Sequence, residues 1–385
     1  MLAAWTWMFL TVHYNYGGNW TALFCIRPGM PVPAFLKSEN LYIFKNSEGY
    51  DGQVYHLIAH DPWMRKGSVD AIAGASFRYQ RIFVPALAWA LALGHDPWIH
   101  ASYFAVILAF VFLGVYWTAQ FAARIGRSRL WGLGFLMAPA TIVSLDRMTA
   151  DIALAAFATG FAWYCLDSDA SDSAAGSWSK SRAWKIPVLL TCAALTRETA
   201  LPIIGGYAIY LVTRRRFLNA LLTAATACPA AAWYIYLSRL ERSSAPEYLG
   251  WIPFAGFADR IFHPVLYSIS PFKNALALLL DYAALSGIAI ALIIAIRLAL
   301  RRRWDSAACA IYALALAGIF VRSRSVWEEA YAFGRVLSPL MLLTALDALR
   351  MNPWLAVLPM FLVDSRISLN LVSQIQGVFR GITRL

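Results

Sequence analysis

Residues 49–62, GYDGQVYHLIAHDP, place acids, histidines and tyrosines directly after the first apolar stretch of the chain. A charge at membrane depth is costly and is normally kept away from acyl chains, so a carboxylate beside an apolar stretch indicates a working group. Asp51 stands at the start of a short helical pattern that Pro62 ends. A carboxylate at a helix N-terminus stays ionised, which suits a general base and equally suits a residue that only caps the helix.

The side chains around Asp51 are candidates for contacts with a substrate or with lipid headgroups. Tyr55 lies one helical turn after Asp51, and Asp61 is the next acid along the chain. His56 and His60 lie four residues apart and could face one metal ion. No third ligand stands at a clear spacing from them, so neither a metal nor another cofactor is expected, and contact with substrate or headgroups is the preferred interpretation.

Two arginines follow in the motif FRYQRI, where Arg78 and Arg81 flank Tyr79 just before an apolar run. Guanidinium groups suit phosphate recognition, because their charge is permanent and their donors form a fork. A phosphate at the membrane surface is therefore a candidate ligand for this motif. Ordinary anchoring at the interface is the alternative.

Charged and aromatic residues also interrupt the later apolar runs. The motif LTRETALP places an arginine and a glutamate inside one such run, where they must pair or face a water-filled cavity. The motif SVWEEAYAFGRVLSP combines aromatic and acidic residues at a helix start, a pattern typical of sugar recognition and equally of an aromatic belt. The substrate-binding candidates in these later segments are Arg147, Asp151, Arg197, Glu198, Trp327, Glu328, Tyr331 and Arg335.

Composition predicts an all-α polytopic membrane protein. Of the 385 residues 60% are hydrophobic and only 14% are charged, and apolar runs recur through almost the whole length. A spanning helix needs roughly 20 apolar residues, so the chain has room for about ten to twelve crossings and no large soluble domain. Residues 1–385 are therefore expected to form a single membrane-embedded unit. The five cysteines are scattered and predict neither redox nor zinc chemistry.

The net charge is +12, and arginines lie in short clusters between apolar runs. This distribution is typical of loops that set the orientation of a membrane protein, and it argues against a nucleic-acid partner. By the positive-inside rule the clusters lie in the cytoplasm. The first loop, 13–97, and the long loop 238–274 are then extracytoplasmic. Residues 82–93 are interpreted as a juxtamembrane or re-entrant helix, because counting them as a crossing would invert everything after them. The clusters are Arg124/Arg127/Arg129, Arg214/Arg215/Arg216 and Arg301/Arg302/Arg303.

Other segments carry weaker signals. Residues 1–10 are interpreted as a first membrane span and not as a signal peptide that is cleaved. Because this span is short, either neighbouring helices support it or upstream residues are missing. Residues 167–183 form a polar linker that is expected in the cytoplasm. The segment 366–385 has apolar residues near helical period and predicts an amphipathic tail lying on the membrane. The other expected crossings are 98–121, 131–145, 149–166, 186–196, 199–212, 217–237, 275–297, 305–321, 335–349 and 352–364.

The motifs YDGQVYHLIAHDP, FRYQRIFVPALAWALALG, SLDRMTADIALA, LTRETALP and AFGRVLSPLMLL occur in an order that resembles the GT-C class of integral-membrane glycosyltransferases. Within that class the chain is similar to bacterial enzymes of cell-surface glycopolymers, over roughly residues 50–343. The resemblance implies a GT-C-like helix bundle with juxtamembrane helices in the first extracytoplasmic loop. It also implies an acid in that loop as the catalytic base, at the position of Asp51. It further implies that an arginine near the membrane surface holds the phosphate of a lipid carrier, and the candidates are Arg78, Arg81, Arg197 and Arg335.

This chain departs from the family pattern in one respect at the candidate base. Many relatives carry two adjacent acids in the first loop, whereas here Gly52 follows Asp51. The chain also carries no large soluble C-terminal domain, so acceptor recognition is expected from loops such as 238–274.

The resemblance implies transfer of a sugar from a polyprenyl-phosphate donor to a glycan, lipid or protein acceptor by inverting displacement. The expected location is the plasma (inner) membrane, as a multi-pass protein surrounded by lipid, with the site on the extracytoplasmic face. A transporter or flippase for a lipid-linked glycan is the first alternative, and would distribute charges through the membrane depth. An O-antigen ligase or polymerase-like enzyme is the second alternative. Such an enzyme would use a histidine or an arginine of a late extracytoplasmic loop instead of an acid in the first loop.

Overall fold

The computed structural model describes residues 1–173, 184–240, 248–267 and 270–383, without the side chains of 167–173. Across these residues all regular secondary structure is helical. Two isolated β-bridges join Ile26 to Ile43 and Leu249 to Val321. The all-α prediction is confirmed. The helices are α1 (Leu2–Tyr16), α2 (Asp51–His60), α3 (Ser68–Ala71), α4 (Ala75–Arg78), α5 (Phe83–Leu91), α6 (Ile99–Arg124), α7 (Pro139–Arg147), α8 (Asp151–Ser173), α9 (Lys185–Thr196), α10 (Leu201–Thr213), α11 (Phe217–Ala225), α12 (Cys228–Leu240), α13 (Ala255–Phe262), α14 (Pro271–Leu300), α15 (Ser306–Ile319), α16 (Arg324–Trp327), α17 (Ala330–Ala348) and α18 (Pro353–Ile382).

Among the described residues, four helical segments are long and apolar enough to cross a membrane. This number indicates a membrane protein and is smaller than the ten to twelve crossings expected from sequence. Three further apolar helices are shorter: Asp151–Leu166, Lys185–Thr196 and Ser306–Ile319. The four long segments are Asp96–Arg124, Phe217–Leu240, Pro271–Leu300 and Pro353–Ile382.

The expected crossing 131–145 is not one helix. A 3₁₀ segment, Arg129–Met137, is followed by the separate nine-residue helix α7. Pro139 lies in the first turn of α7, where its missing N–H costs nothing, but the same missing donor prevents α7 from continuing the preceding helix. Nine helical residues extend about 13 Å, so α7 alone is too short to cross a bilayer.

The first loop contains several short helices. Helix α2 begins at Asp51 and ends at His60, just before Pro62, as the pattern predicts. Helix α5 covers nine residues, about 13 Å, and packs against α2 and α6. Its length agrees with the interpretation of 82–93 as a segment that does not cross the membrane.

The polar linker and the long loop lie partly outside the described residues. The linker 167–183 begins inside α8, which continues to Ser173, and residues 174–183 are not described. The loop 238–274 begins inside α12, contains α13 and ends inside α14. Its residues 241–247 and 268–269 are also outside the described part of the chain.

The tail is part of a longer helix and not a separate element after the expected crossing 352–364. Residues 366–382 continue α18 without interruption from Pro353, and α18 packs along α14 and α1. Two polar side chains of this segment have buried partners. Arg366 donates from Nε to Oδ1 of Asp281 at 2.7 Å, and Gln374 donates to Oδ1 of Asp146 at 2.8 Å.

Asp281 links three helices. Its other oxygen, Oδ2, accepts from Arg260 of α13 at 2.6 Å, and all three side chains of this cluster are buried. Replacing Asp281 by alanine leaves two buried guanidinium groups without their carboxylate. We expect the free energy of unfolding to fall by about 3–5 kcal/mol, measured by chemical unfolding in mild detergent. The matched control is Asp259→Ala, because the exposed pair of Asp259 with His263 contributes little. Equal losses in the two variants would contradict this role.

The basic clusters meet at one end of the helices. Arg127 donates to the carbonyl of Leu349 at 3.2 Å, Arg303 donates to Asp347 at 2.5 Å, and Trp304 donates to Thr213 at 2.9 Å. Asp347 lies near the end of α17, twelve residues after Arg335. Twelve helical residues separate these two positions by about 18 Å along the axis.

Candidate active site

Asp51 faces three arginines from two separate parts of the chain. Its Oδ2 lies 2.7 Å from Nη2 of Arg335 and 3.8 Å from Nη1 of Arg81. Its Oδ1 accepts a hydrogen bond of 2.9 Å from Nη1 of Arg78. Helix α2 presents the carboxylate from its first position, with Tyr50 in extended conformation before it. The side chain is 17% exposed, so one edge of the carboxylate reaches the solvent.

Close packing explains why a glycine follows Asp51. A Cβ atom at Gly52 would collide with the carbonyl oxygen of Arg147 and would lie 3.1 Å from that of Phe24. The start of α2 therefore rests directly on the backbone of α7 and of the first loop. A side chain larger than glycine does not fit at this position.

A second set of charges adjoins the first. Arg81 donates to both carboxylate oxygens of Glu198, at 2.9 and 3.3 Å. Arg197 forms an ion pair with Asp151 and lies 3.7 Å from Glu198. Arg335 also reaches Asp151, at 3.4 Å. The interpretation that Arg197 and Glu198 pair or face a cavity is confirmed.

A helix break presents Arg197 and Glu198. Helix α9 ends at Thr196, Arg197 is extended, and a 3₁₀ turn leads into α10, which has Pro202 in its first turn. Proline has no N–H group to continue the hydrogen bonding of the preceding helix, which favours a break at this point. Irregular backbone within a helical membrane protein is tolerated where it is buried in protein or lines a water-filled cavity.

The balance of charge at this cluster favours an anionic ligand. Four guanidinium groups (Arg78, Arg81, Arg197 and Arg335) face three carboxylates (Asp51, Asp151 and Glu198), which leaves one positive charge in excess. Burial alone would raise the pKa of Asp51, but the charges of Arg335, Arg81 and Arg78 outweigh it and hold that pKa far below its usual range. Burial opposes ionisation of Glu198 too, and Arg81 and Arg197 lower its pKa to about 2. Both carboxylates are therefore ionised at neutral pH.

These charges line a polar cavity of about 330 Å³. Asp51 and the four arginines belong to its wall, together with Phe77, Tyr248 and Ser325. The guanidinium of Arg81 stacks over the ring of Phe77 at 5.0 Å.

An apolar groove of about 540 Å³ adjoins the polar cavity. Arg197, Tyr248, Val326 and Val336 line both spaces, so the two are direct neighbours. The remaining wall of the groove is largely aliphatic: Leu201, Pro202, Leu249, Leu314, Ala317, Gly318, Val321, Leu337 and Leu340, with Glu198 and Thr199 at the polar side.

Two of the predicted binding residues hold the backbone instead. Asp61 accepts hydrogen bonds from the backbone N–H groups of Arg65 and Lys66, at 2.7 and 2.8 Å. Tyr79 is buried and donates from its hydroxyl to the carbonyl of Asp61 at 2.8 Å. Both shape the turn after α2, and neither lines the polar cavity. Tyr55 does reach the cluster, because its hydroxyl accepts from Arg81 at 3.3 Å.

Four other predicted residues also lie away from the polar cavity. Trp327 is buried and donates to the carbonyl of Val321 at 2.9 Å. Tyr331 donates to Asp146 at 3.1 Å, and Arg147 pairs with the same carboxylate at 2.9 Å. Glu328 is exposed. Of the predicted binding residues in the motif of α16 and α17, Arg335 therefore belongs to the cluster, while Trp327, Glu328 and Tyr331 do not line the cavity.

The histidines of α2 point away from Asp51. His56 and His60 are fully buried on the opposite face of the helix, beside His100 and Glu39. Burial lowers the pKa of both histidines. They do not line the polar cavity, so the predicted contact with substrate is not what their placement favours.

Sequence reasoning missed three aromatic residues of the site. Arg335 stacks over the ring of Tyr50 at 4.9 Å, while Phe77 and Tyr248 line the cavity. Tyr50 and Phe77 each precede a predicted site residue directly, a position that was a usable signal. Tyr248 follows an undescribed segment of the long loop and had none. Comparisons with protein-family models, with curated proteins and with solved structures give no match to this chain.

Proposed function

We propose that this protein is a GT-C-type membrane glycosyltransferase that transfers a sugar from a polyprenyl-phosphate donor to an extracytoplasmic acceptor. One observation carries the proposal: an ionised aspartate and four arginines line a polar cavity that adjoins an apolar groove. The two spaces match the two parts of a lipid phosphate, an anionic head and an apolar chain. The excess positive charge favours a ligand that brings negative charge.

The carrier phosphate would lie among Arg78, Arg81, Arg197 and Arg335. Arginine binds phosphate with paired N–H donors and stays charged when partly buried. The isoprenoid would follow the groove past Leu314 toward the lipid. The sugar would remain in the polar cavity, next to Asp51.

The proposed reaction is a single inverting displacement. The acceptor hydroxyl attacks the anomeric carbon as its proton passes to Asp51, and the bond from that carbon to the phosphate oxygen breaks. The electrons of the broken bond leave with the polyprenyl phosphate, whose added charge the arginines stabilise. A leaving group of this kind needs compensation of charge more than it needs a proton.

The resting pKa of Asp51 suggests how donor binding activates the base. Held by Arg335 and Arg78, the carboxylate is ionised but only weakly basic. An incoming phosphate competes for the same guanidinium groups, so it weakens their hold on Asp51 and raises the pKa of that carboxyl. The carboxylate of Asp51 then becomes a stronger base only when the donor occupies the cavity. A general base is most effective when its pKa lies near the operating pH, so this change favours proton transfer.

The orientation follows from the basic clusters. They meet at the end of the helices remote from Arg335 and Asp51. By the positive-inside rule that end is cytoplasmic, so the cavity opens on the extracytoplasmic face of the plasma membrane. In this arrangement the four long helical segments and the shorter apolar helices together form a GT-C-like bundle.

The groove can be tested by filling it. Ala317 lines the groove, whereas its neighbour Leu316 is exposed on the outer surface of α15. Ala317→Trp is expected to raise KM for the lipid donor by about tenfold, because an indole occupies the space of the isoprenoid, with little effect on kcat. Leu316→Trp is the control and is expected to leave KM unchanged. Equal KM values for both variants would argue against a lipid in the groove.

Vesicle reconstitution separates this function from transport. The purified protein is mixed with a lipid extract and an envelope fraction from its host, and polyprenyl-linked species are followed by mass spectrometry. A transferase converts a polyprenyl-phosphate sugar into free polyprenyl phosphate as the acceptor gains mass. A transporter moves the donor across the bilayer and leaves it intact, which would contradict the proposal.

A further inference from the structure

Four potential metal ligands converge on the face of α2 that is remote from Asp51. Nε2 of His56 lies 2.7 Å from Nε2 of His100, and Oε2 of Glu39 lies 3.1 Å from the same His100 nitrogen. Oε1 of Glu39 lies 3.7 Å from Nε2 of His60. One ligand atom from each of the four residues falls within 4.8 Å of all the others. This spacing makes the four residues a candidate set of ligands for one cation.

Two of these ligand atoms have no hydrogen-bond partner although they are buried. They are Nε2 of His60 and Oε2 of Glu39. A buried polar atom without a partner costs free energy, and native proteins rarely keep one without a compensating water or ion. A cation between the four residues would satisfy both atoms at once.

The surrounding residues fix the orientation of the histidine rings. Nδ1 of His60 lies 3.0 Å from a carboxylate oxygen of Asp96, and Lys66 holds that carboxylate at 2.8 Å. The ring of Phe24 stacks on His56 with centroids 4.4 Å apart. A carboxylate behind a histidine is typical of metal sites, because it directs the free lone pair of the other nitrogen at the ion.

We propose that Glu39, His56, His60 and His100 bind one zinc ion. Three imidazoles and one carboxylate form a tetrahedral donor set of the kind that zinc prefers, whereas calcium and magnesium require mainly oxygen ligands. Four protein ligands leave no open position, so the site is structural and separate from the transfer chemistry.

The expectation of no metal considered only ligands at helical spacing. The third and fourth ligands come from elsewhere in the chain: Glu39 from the loop before α2, and His100 from the first turn of α6. Zinc therefore joins that loop, α2 and the candidate membrane span Asp96–Arg124. The ion fixes α2 from one side, while Asp51 projects from the other.

The test is the metal content of the purified protein. The chain is purified on a tag without histidines, and zinc is counted by inductively coupled plasma mass spectrometry. We expect one zinc ion per chain in the unmodified protein and at least about tenfold weaker zinc binding in Glu39→Gln and in His100→Ala. The control is His95→Ala, because His95 is exposed and lies just before the same helix. Its zinc content should match that of the unmodified protein.

Cobalt binding gives a second measurement. It uses the unmodified protein, so it does not require that the variants fold. Removing zinc with a chelator and adding Co²⁺ alone to the unmodified protein should give the intense visible absorption of tetrahedral cobalt. The proposal is overturned if the protein holds no zinc and shows no such absorption, or if His95→Ala loses as much metal as His100→Ala. Because the ligands are remote from Asp51, failure here would leave the proposed transferase function standing.

Discussion

Replacing Asp51 by asparagine is expected to lower sugar transfer by at least about 100-fold, because a general base contributes about that much or more. Asparagine keeps the size of the side chain but cannot accept the proton of the acceptor hydroxyl. It also releases Arg335 and Arg78 from their carboxylate, so the arginines stay free to bind the donor phosphate. The loss should therefore appear in kcat, with KM for the donor unchanged or lower.

The matched control for this variant is Asp70→Asn. Asp70 is an exposed acid of the same first loop and does not line the polar cavity. Transfer by Asp70→Asn should equal that of the unmodified protein, and thermal unfolding in detergent should show that Asp51→Asn is folded. Full transfer by a folded Asp51→Asn variant would exclude Asp51 as the base.

Replacing Arg335 by glutamine is expected to lower kcat/KM by at least about 100-fold. Arg335 is the closest cation to Asp51 and also touches Asp151, so it stands at the centre of the charged cluster. Its removal weakens phosphate binding in the ground state and withdraws positive charge as the leaving group gains negative charge. Both KM and kcat should suffer, which distinguishes this variant from Asp51→Asn.

Arg324→Gln is the control for Arg335. Arg324 is exposed in the short helix α16 that precedes α17, and it does not line the cavity. It removes the same charge from the same region without touching the proposed phosphate site. The account would be contradicted if Arg324→Gln and Arg335→Gln lost transfer to the same extent.

Local signals in the sequence were sufficient to predict α2 and the presentation of Asp51. An acid at the first helical position and a proline after the last one mark both ends of the helix. The motif LTRETALP likewise predicts a charged break, because Pro202 prevents α9 from continuing into α10. Each of these features depends on residues close together in the chain.

Convergence of distant residues was not predictable in the same way. Arg335 lies almost 300 positions after Asp51, and no periodicity relates the two. For the same reason Glu39 and His100 were not recognised as partners of the α2 histidines. Tyr331 was a candidate for sugar binding by type alone, yet it donates to Asp146, because nothing in its motif shows which way the side chain points.

The predicted helix boundaries were wrong where the prediction used hydropathy alone. Segment 131–145 has enough apolar residues for a crossing, but Pro139 divides it into two short pieces. The tail was expected to lie on the membrane because its apolar residues recur near helical period, with Arg380 and Arg384 among them. In the structure it continues α18, and Asp281 on another helix pairs with Arg366 at the start of this segment.

Binding of a lipid phosphate tests the central claim most directly. The purified protein is mixed with polyprenyl phosphate or with the uncharged polyprenol, and bound lipid is measured by native mass spectrometry. Charge-assisted hydrogen bonds contribute about 1.5–3 kcal/mol, so Arg335→Gln should bind polyprenyl phosphate at least about tenfold more weakly than the unmodified protein or Arg324→Gln. Polyprenol should bind weakly to all three. Equal binding of phosphate and alcohol, or equal binding by all three proteins, would contradict a phosphate site at these arginines.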